Sequence, residues 1–168
     1  SLGHSMLRDV YLRRGAAADY PVLYQVARHF AEYVHYEIWG PEMLRQPSAR
    51  QRGASPEVGS VSGLGKGGED LPLLLHHIRQ DHERWATLMR ELRQLYPSVQ
   101  EIQFRRGLRN ELGLAFQERP DPRRRALSYL PSQMSDGFLR VLALLTLKHQ
   151  PAPLVALGYE EPENGLHP

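Results

Sequence analysis

Residues 134–168 read MSDGFLRVLALLTLKHQPAPLVALGYEEPENGLHP, and the fold turns on this stretch. Ser135 to His149 has helical spacing, with Leu139, Leu142, Ala143, Leu145 and Thr146 on one face. Ser135 or Asp136 stands where an N-cap belongs. Pro151 and Pro153 mark a connector, and Leu154 to Leu157 is a short apolar strand. Gly158 and Tyr159 interrupt that strand before two adjacent carboxylates, Glu160 and Glu161. A strong helix packed next to a buried strand makes the expected fold class α/β.

Upstream, Ser1–Met6 (SLGHSM) reads as a tag remnant or a native lead-in and is set aside. Residues 7–45 form a helix and a strand. Pro21 to Tyr33 is helical, with Leu23, Val26, Ala27 and Phe30 in register, and Val34 to Trp39 alternates as a strand. Gly40-Pro41 breaks it, and Pro41 to Leu44 opens a helical turn. Residues 46–68 are a loop rich in Gly, Ser and Pro. Residues 69–133 supply a helical insert and a β-hairpin. Leu71 to Arg79 follows the acidic start Glu69-Asp70. Asp81 to Leu95 carries Trp85, Leu88, Met89, Leu92 and Leu95 on one face. Val99 to Arg105 and Glu111 to Glu118 are strands joined at Gly107 to Asn110, and Arg119 to Arg125 is a polar connector. Trp39, Trp85 and Phe116 are expected in the core.

Composition narrows the chemistry. The 168 residues carry 24% charged and 41% hydrophobic residues, which suits one folded domain rather than a disordered chain. There is no cysteine, so disulfides, thiolate metal sites and a cysteine nucleophile are excluded, and a reducing cytoplasm is the natural compartment. No apolar run approaches the roughly 20 residues of a membrane span. The net charge of +2 is small although arginine far outnumbers lysine.

At the start of the last helix two readings stand side by side. Free first-turn amides, a Ser hydroxyl and a Gly that lets backbone approach closely suit an anion such as phosphate. The same residues serve equally as a plain N-cap. Glu160 and Glu161 likewise suit a hydrated Mg²⁺ and an attacking water, or a solvated acidic turn.

Taken together, the two segments give an order found in ABC-type ATPases, and EEPENGLHP with SDGFLRVLALL resembles the RecF/SMC-like AAA-family ATPases of bacterial DNA repair and phage defence. YEIWGPEMLRQPS (residues 36–48), the loop ending in GGEDLPLLLHHI and the hairpin before Arg123–Arg125 resemble the segment that family places before its signature. The resemblance implies a partial ABC-type ATPase domain: a helical signature-bearing lobe with a β-hairpin, the Walker B strand and, over 134–168 as a whole, the signature helix, Walker B and D-loop. It implies that Ser135, Asp136 and Gly137 meet the γ-phosphate of ATP held on a partner subunit. Glu160 falls at the Mg²⁺ position and Glu161 at the catalytic-base position. Asn164 and His167 belong to the D-loop and complete the ATP contacts. Asp136-Gly137 replaces the usual Gly pair, and Glu160 replaces the Asp common in transporters.

A phosphate loop needs Gly-x-x-x-x-Gly-Lys-Ser/Thr between a strand and a helix. Ser60 to Gly67 (SVSGLGKG) comes nearest, but has Ser60 for the first Gly and Gly67 for the final hydroxyl. The chain therefore reads as an internal piece of a larger ATPase, inactive alone. Its implied partners are a second copy or a chain supplying the Walker A, with DNA and a nuclease as further partners and no membrane. The Walker B strand is expected to lack its proper sheet neighbour, leaving it mobile or paired with another copy. A regulatory or dimerisation lobe without ATPase activity is the alternative, and an OLD-type nuclease a third. Two other clusters bear weighing. His76, His77, Asp81, His82 and Glu83 suit a metal or a polar helix face. Arg105, Arg106, Arg109, Arg119 and Arg123 to Arg125 suit DNA phosphate, the nucleotide or partner lobe, or a solvated surface.

Overall fold

In the larger of two units, alternating and helical apolar patterns settle into helices packed against a three-stranded sheet. The computed structural model describes residues 16–31, 33–36, 42–48, 63–65, 67–108, 111–151 and 156–159. In chain order the elements are α1 (Ala16–Asp19), α2 (Pro21–Ala31), β1 (Tyr33–Tyr36), α3 (Glu42–Arg45), α4 (Leu71–Ile78), α5 (His82–Leu95), β2 (Val99–Arg106), β3 (Leu112–Glu118), β4 (Leu127–Tyr129), a 3-10 turn (Pro131–Gln133), α6 (Asp136–His149) and β5 (Ala156–Tyr159). The fold class is mixed α/β, as the sequence led us to expect.

The chain divides into two units. The first is built of α1, α2 and the pairing of β1 with β5. Proline at the first position of α2 suits a helix start, where its missing N–H costs nothing. Leu23 and Val26, expected on the inner face, are both exposed. Two expectations for β5 are corrected. It is paired within the chain, with β1, rather than left without a neighbour. Gly158 and Tyr159 lie inside it rather than interrupting it, since extended backbone is open to either residue and needs no apolar side chain.

The second unit runs from α3 to α6 and holds β2, β3 and β4 in that spatial order, all antiparallel. β3 is the central strand. Ile102 faces Phe116, Phe104 faces Leu114 and Arg106 faces Leu112 across the hairpin. On its other edge β3 pairs with β4, and near its start Ser48 exchanges two 2.9 Å backbone hydrogen bonds with Leu112. β3 is thus paired along one edge and near both ends of the other, which favours the burial of Leu112, Leu114, Ala115 and Phe116. β4 falls beyond the Arg119–Arg125 connector, in a stretch to which the sequence assigned no element; Leu127-Ser-Tyr129 is too short to show a period.

Leu71, Leu74, Leu75 and Ile78 of α4, Leu88, Met89 and Leu92 of α5, and Leu139, Leu142, Ala143 and Leu147 of α6 form the helical side of the core. Phe138 meets Phe116 edge-on at 5.0 Å between ring centres, and Tyr96 meets Phe138 in the same manner at 5.0 Å. Thr146 is buried without cost because its hydroxyl donates to the Leu142 carbonyl at 2.7 Å.

Details of the helices depart from expectation. Asp70 has φ 65°, in the left-handed region, and its carboxylate caps nothing; Glu69 instead folds back to accept from the Gly67 N–H at 2.9 Å. Leu95, the last residue of α5, is exposed. Trp85 is half-buried, with the Arg79 guanidinium 6.0 Å from its ring centre. Trp39 lies outside the described residues. Because Phe116 is wholly buried between sheet and α6, Phe116→Ala is expected to cost about 3–5 kcal/mol, read from urea denaturation.

Candidate functional site

The start of α6 is set by the chain that leads into it. The 3-10 turn Pro131–Gln133 is closed by the Gln133 side chain, whose Oε1 accepts from the Leu130 N–H at 2.8 Å. Met134 is then buried and Ser135 stays extended, at φ −66° and ψ 152°. From there the Ser135 Oγ accepts from the Phe138 N–H at 3.2 Å, an N-cap that satisfies one of the amides a helix start leaves over. The capping arrangement foreseen in the sequence is therefore present at Ser135.

Asp136 brings negative charge into the first turn, where the helix dipole welcomes it. Arg45, 91 residues earlier on α3, pairs with its Oδ1 at 2.6 Å and donates to the Met134 carbonyl at 3.2 Å. That pairing offsets the carboxylate which would otherwise repel an anion at this helix end. Gly137 is buried in the first turn of α6. Ser135, Asp136 and Gly137 thus stand together in one turn. Their donor set, with Asp136 held by a guanidinium, fits an oxyanion such as phosphate.

Beside this turn lies a cavity of about 280 Å³ lined by Tyr96, Ser98, Glu118, Tyr129, Ser135 and Phe138 among others. Burial pushes the Glu118 carboxyl above the usual carboxylate range, and pushes the Tyr96 hydroxyl up likewise.

The far end of α6 is gripped by α5. Arg84 donates to the carbonyls of His149 (3.3 Å) and Gln150 (2.9 Å). These carbonyls belong to the helix end that lacks internal donors. Glu91 pairs with Lys148 at 2.8 Å and with the His149 Nε2 at 3.0 Å. Hydrogen bonds from Lys148, then from His149, hold the Glu91 carboxyl below its ordinary value.

The remaining candidates are placed as follows. Glu160, Glu161, Asn164 and His167 lie outside the described residues, as does Arg109. Among the described residues no group of three or more His, Asp or Glu is arranged to hold a metal. In the histidine stretch, His76 stands edge-on to Phe104 at 5.2 Å and Asp81 caps α5 by accepting from the Arg84 N–H at 3.1 Å. Arg105, Arg106, Arg119 and Arg123 to Arg125 are exposed; Arg105 donates to the Ser128 hydroxyl and Arg124 pairs with Asp121 at 3.6 Å. No helix among the described residues is long and apolar enough to cross a membrane. Arg45, Tyr96, Glu118 and Tyr129 were not singled out by the sequence. Each reaches the site through a tertiary contact that leaves no local pattern.

With this geometry in place the comparisons can be read. Residues 66–168, more than half of the chain, match the family model described as "AAA domain, putative AbiEii toxin, Type IV TA system". The chain belongs to that family, and so carries an ATPase-like domain of the AAA class. No curated protein matches it. No solved structure matches it.

Two outcomes are expected from the two ends of α6. Ser135→Ala should cost about 1 kcal/mol in urea denaturation, with Ser135→Asp restoring most of it. Glu91→Gln should cost up to about 1 kcal/mol near neutral pH. Because the folded-state value of Glu91 is depressed, its contribution is present above the ordinary 4.5 and is lost as pH falls below it. Denaturation curves of wild type and Glu91→Gln should therefore converge in acid.

Proposed function

We propose that this chain is the signature-bearing and Walker B part of an ABC-type, RecF/SMC-like ATPase that dimerises around ATP, working in the cytoplasm in DNA repair or anti-phage defence. The observation that carries the reading is the start of α6. A capping serine, a neutralised aspartate and a buried glycine open a 14-residue helix inside a domain of AAA class. Supporting it is the order of elements, with β5 following α6 and the Glu160-Glu161 pair following β5.

In this reading Ser135 and the first-turn amides at Asp136 and Gly137 hold the γ-phosphate of an ATP bound to a second copy or to a partner chain that supplies the Walker A. Arg45 keeps the Asp136 charge from opposing that approach. Glu160 would hold Mg²⁺, which would draw charge from the phosphates. Glu161 takes the proton of the attacking water, and Asn164 and His167 cross to the partner. ATP binding closes the dimer and hydrolysis opens it. DNA and a nuclease are the proposed outputs. Membership of an ATPase-class family weighs against a purely regulatory lobe.

The test pairs the chain with the Walker A-bearing partner. Mg-ATP turnover is expected to fall by about 10²-fold or more in Glu161→Gln, with ATP binding retained. Ser135→Arg should abolish the ATP-dependent dimer seen by light scattering. The chain on its own should show no turnover; Glu161-dependent hydrolysis by the chain alone would overturn the division of labour proposed here.

A further inference from the structure

The cavity beside α6 holds a carboxylate that nothing in the nucleotide reading uses. Glu118 ends β3, opposite Leu127 of β4, while Phe116 lies opposite Tyr129. Residues two apart on a strand share a face, and so do directly paired residues. Glu118 and Tyr129 therefore lie on the same face as Phe116, which packs under Phe138, but beyond the start of α6. A 2.7 Å hydrogen bond from the Arg119 N–H to the Ser98 carbonyl pins this end of β3. Tyr96, at the end of α5, closes the other wall, and its ring is held by Phe138.

We infer that this cavity is a binding site for a guanidinium group, with Glu118 as its counter-ion and the tyrosines Tyr96 and Tyr129 as its walls. Among the described residues no cation is paired or hydrogen-bonded with Glu118, and no Lys, Arg or His lines the cavity. A half-buried carboxylate without a partner is costly, and an incoming cation relieves the cost. Burial raising the Glu118 pKa is the same cost seen as a titration. Aromatic walls favour an organic cation, and a guanidinium more than an ammonium: it is more weakly hydrated, stacks on rings and offers several donors. The Ser98 and tyrosine hydroxyls supply further acceptors. A divalent metal is disfavoured, because the lining holds a single carboxylate. An anion would meet Glu118 directly. The volume of about 280 Å³ admits one side chain or a free amino acid and little more. This inference does not depend on ATP binding.

The test is an NMR titration of the full chain with N-acetyl-arginine-N-methylamide, with free L-arginine, and with the neutral citrulline counterpart of the blocked compound. Saturable shifts confined to the surroundings of Ser98, Glu118, Tyr129 and Ser135 are expected for the arginine compounds and not for citrulline. Glu118→Gln should weaken binding at least about tenfold, while Glu101→Gln, an exposed glutamate on the neighbouring strand, leaves it unchanged. The spectrum of each variant reports its folding in the same experiment. Tighter binding of the blocked compound points to an arginine of a partner protein; tighter binding of L-arginine points to the free amino acid. No saturation, equal binding of citrulline, or an unchanged affinity in Glu118→Gln overturns the site.

Discussion

Phe138 is the point on which the second unit depends. Its ring meets Phe116 of the central strand on one side and Tyr96 of α5 on the other, both edge-on. Its backbone N–H is the one that Ser135 caps. One residue thus joins the helix start to the sheet, and fixes where the first turn of α6 faces. Burying an aromatic ring of this size is worth a few kcal/mol, more than any surface ion pair nearby. The polar arrangement around Ser135 is positioned by this apolar contact.

Electrostatics then refine what packing places. Arg45 pairs with the first turn of α6 and Glu118 lines the cavity beside it, with opposite consequences. Arg45 cancels the charge of Asp136 and leaves the helix end receptive to an anion. Glu118 brings an uncancelled carboxylate to the neighbouring cavity. As proposed, the two surfaces meet at Ser135 and take ligands of opposite sign. That arrangement suits a site where a phosphate and a cation meet.

Much of the second unit was legible in the sequence because its elements are periodic. Leu139, Leu142 and Ala143 announce α6, Leu88, Met89 and Leu92 announce α5, and Val99 to Glu118 alternates into a hairpin. What was not legible is what periodicity does not encode. β4 is three residues long and exists because β3 offers it an edge. Asp70 adopts a left-handed backbone that the simple rule for acidic helix starts does not foresee. Leu95 continues the apolar spacing of α5 but is its last residue and exposed. At the site, Ser135, Asp136 and Gly137 are contiguous and could be read together. Arg45, Tyr96, Glu118 and Tyr129 converge from four separate elements, so no local pattern joins them.

The treatment of α6 at its two ends has a mechanical consequence. Arg45 clasps its first turn, while Arg84 and Glu91 clasp its last. Fourteen residues at 1.5 Å each make a rod about 21 Å long. Among the described residues the clasps at the far end come from α5 alone, so unwinding the last turn means breaking the contacts of two side chains on a neighbouring helix. The start is held instead by Arg45 and, through Phe138, by the sheet, so the two ends of the rod are tied to different parts of the same unit.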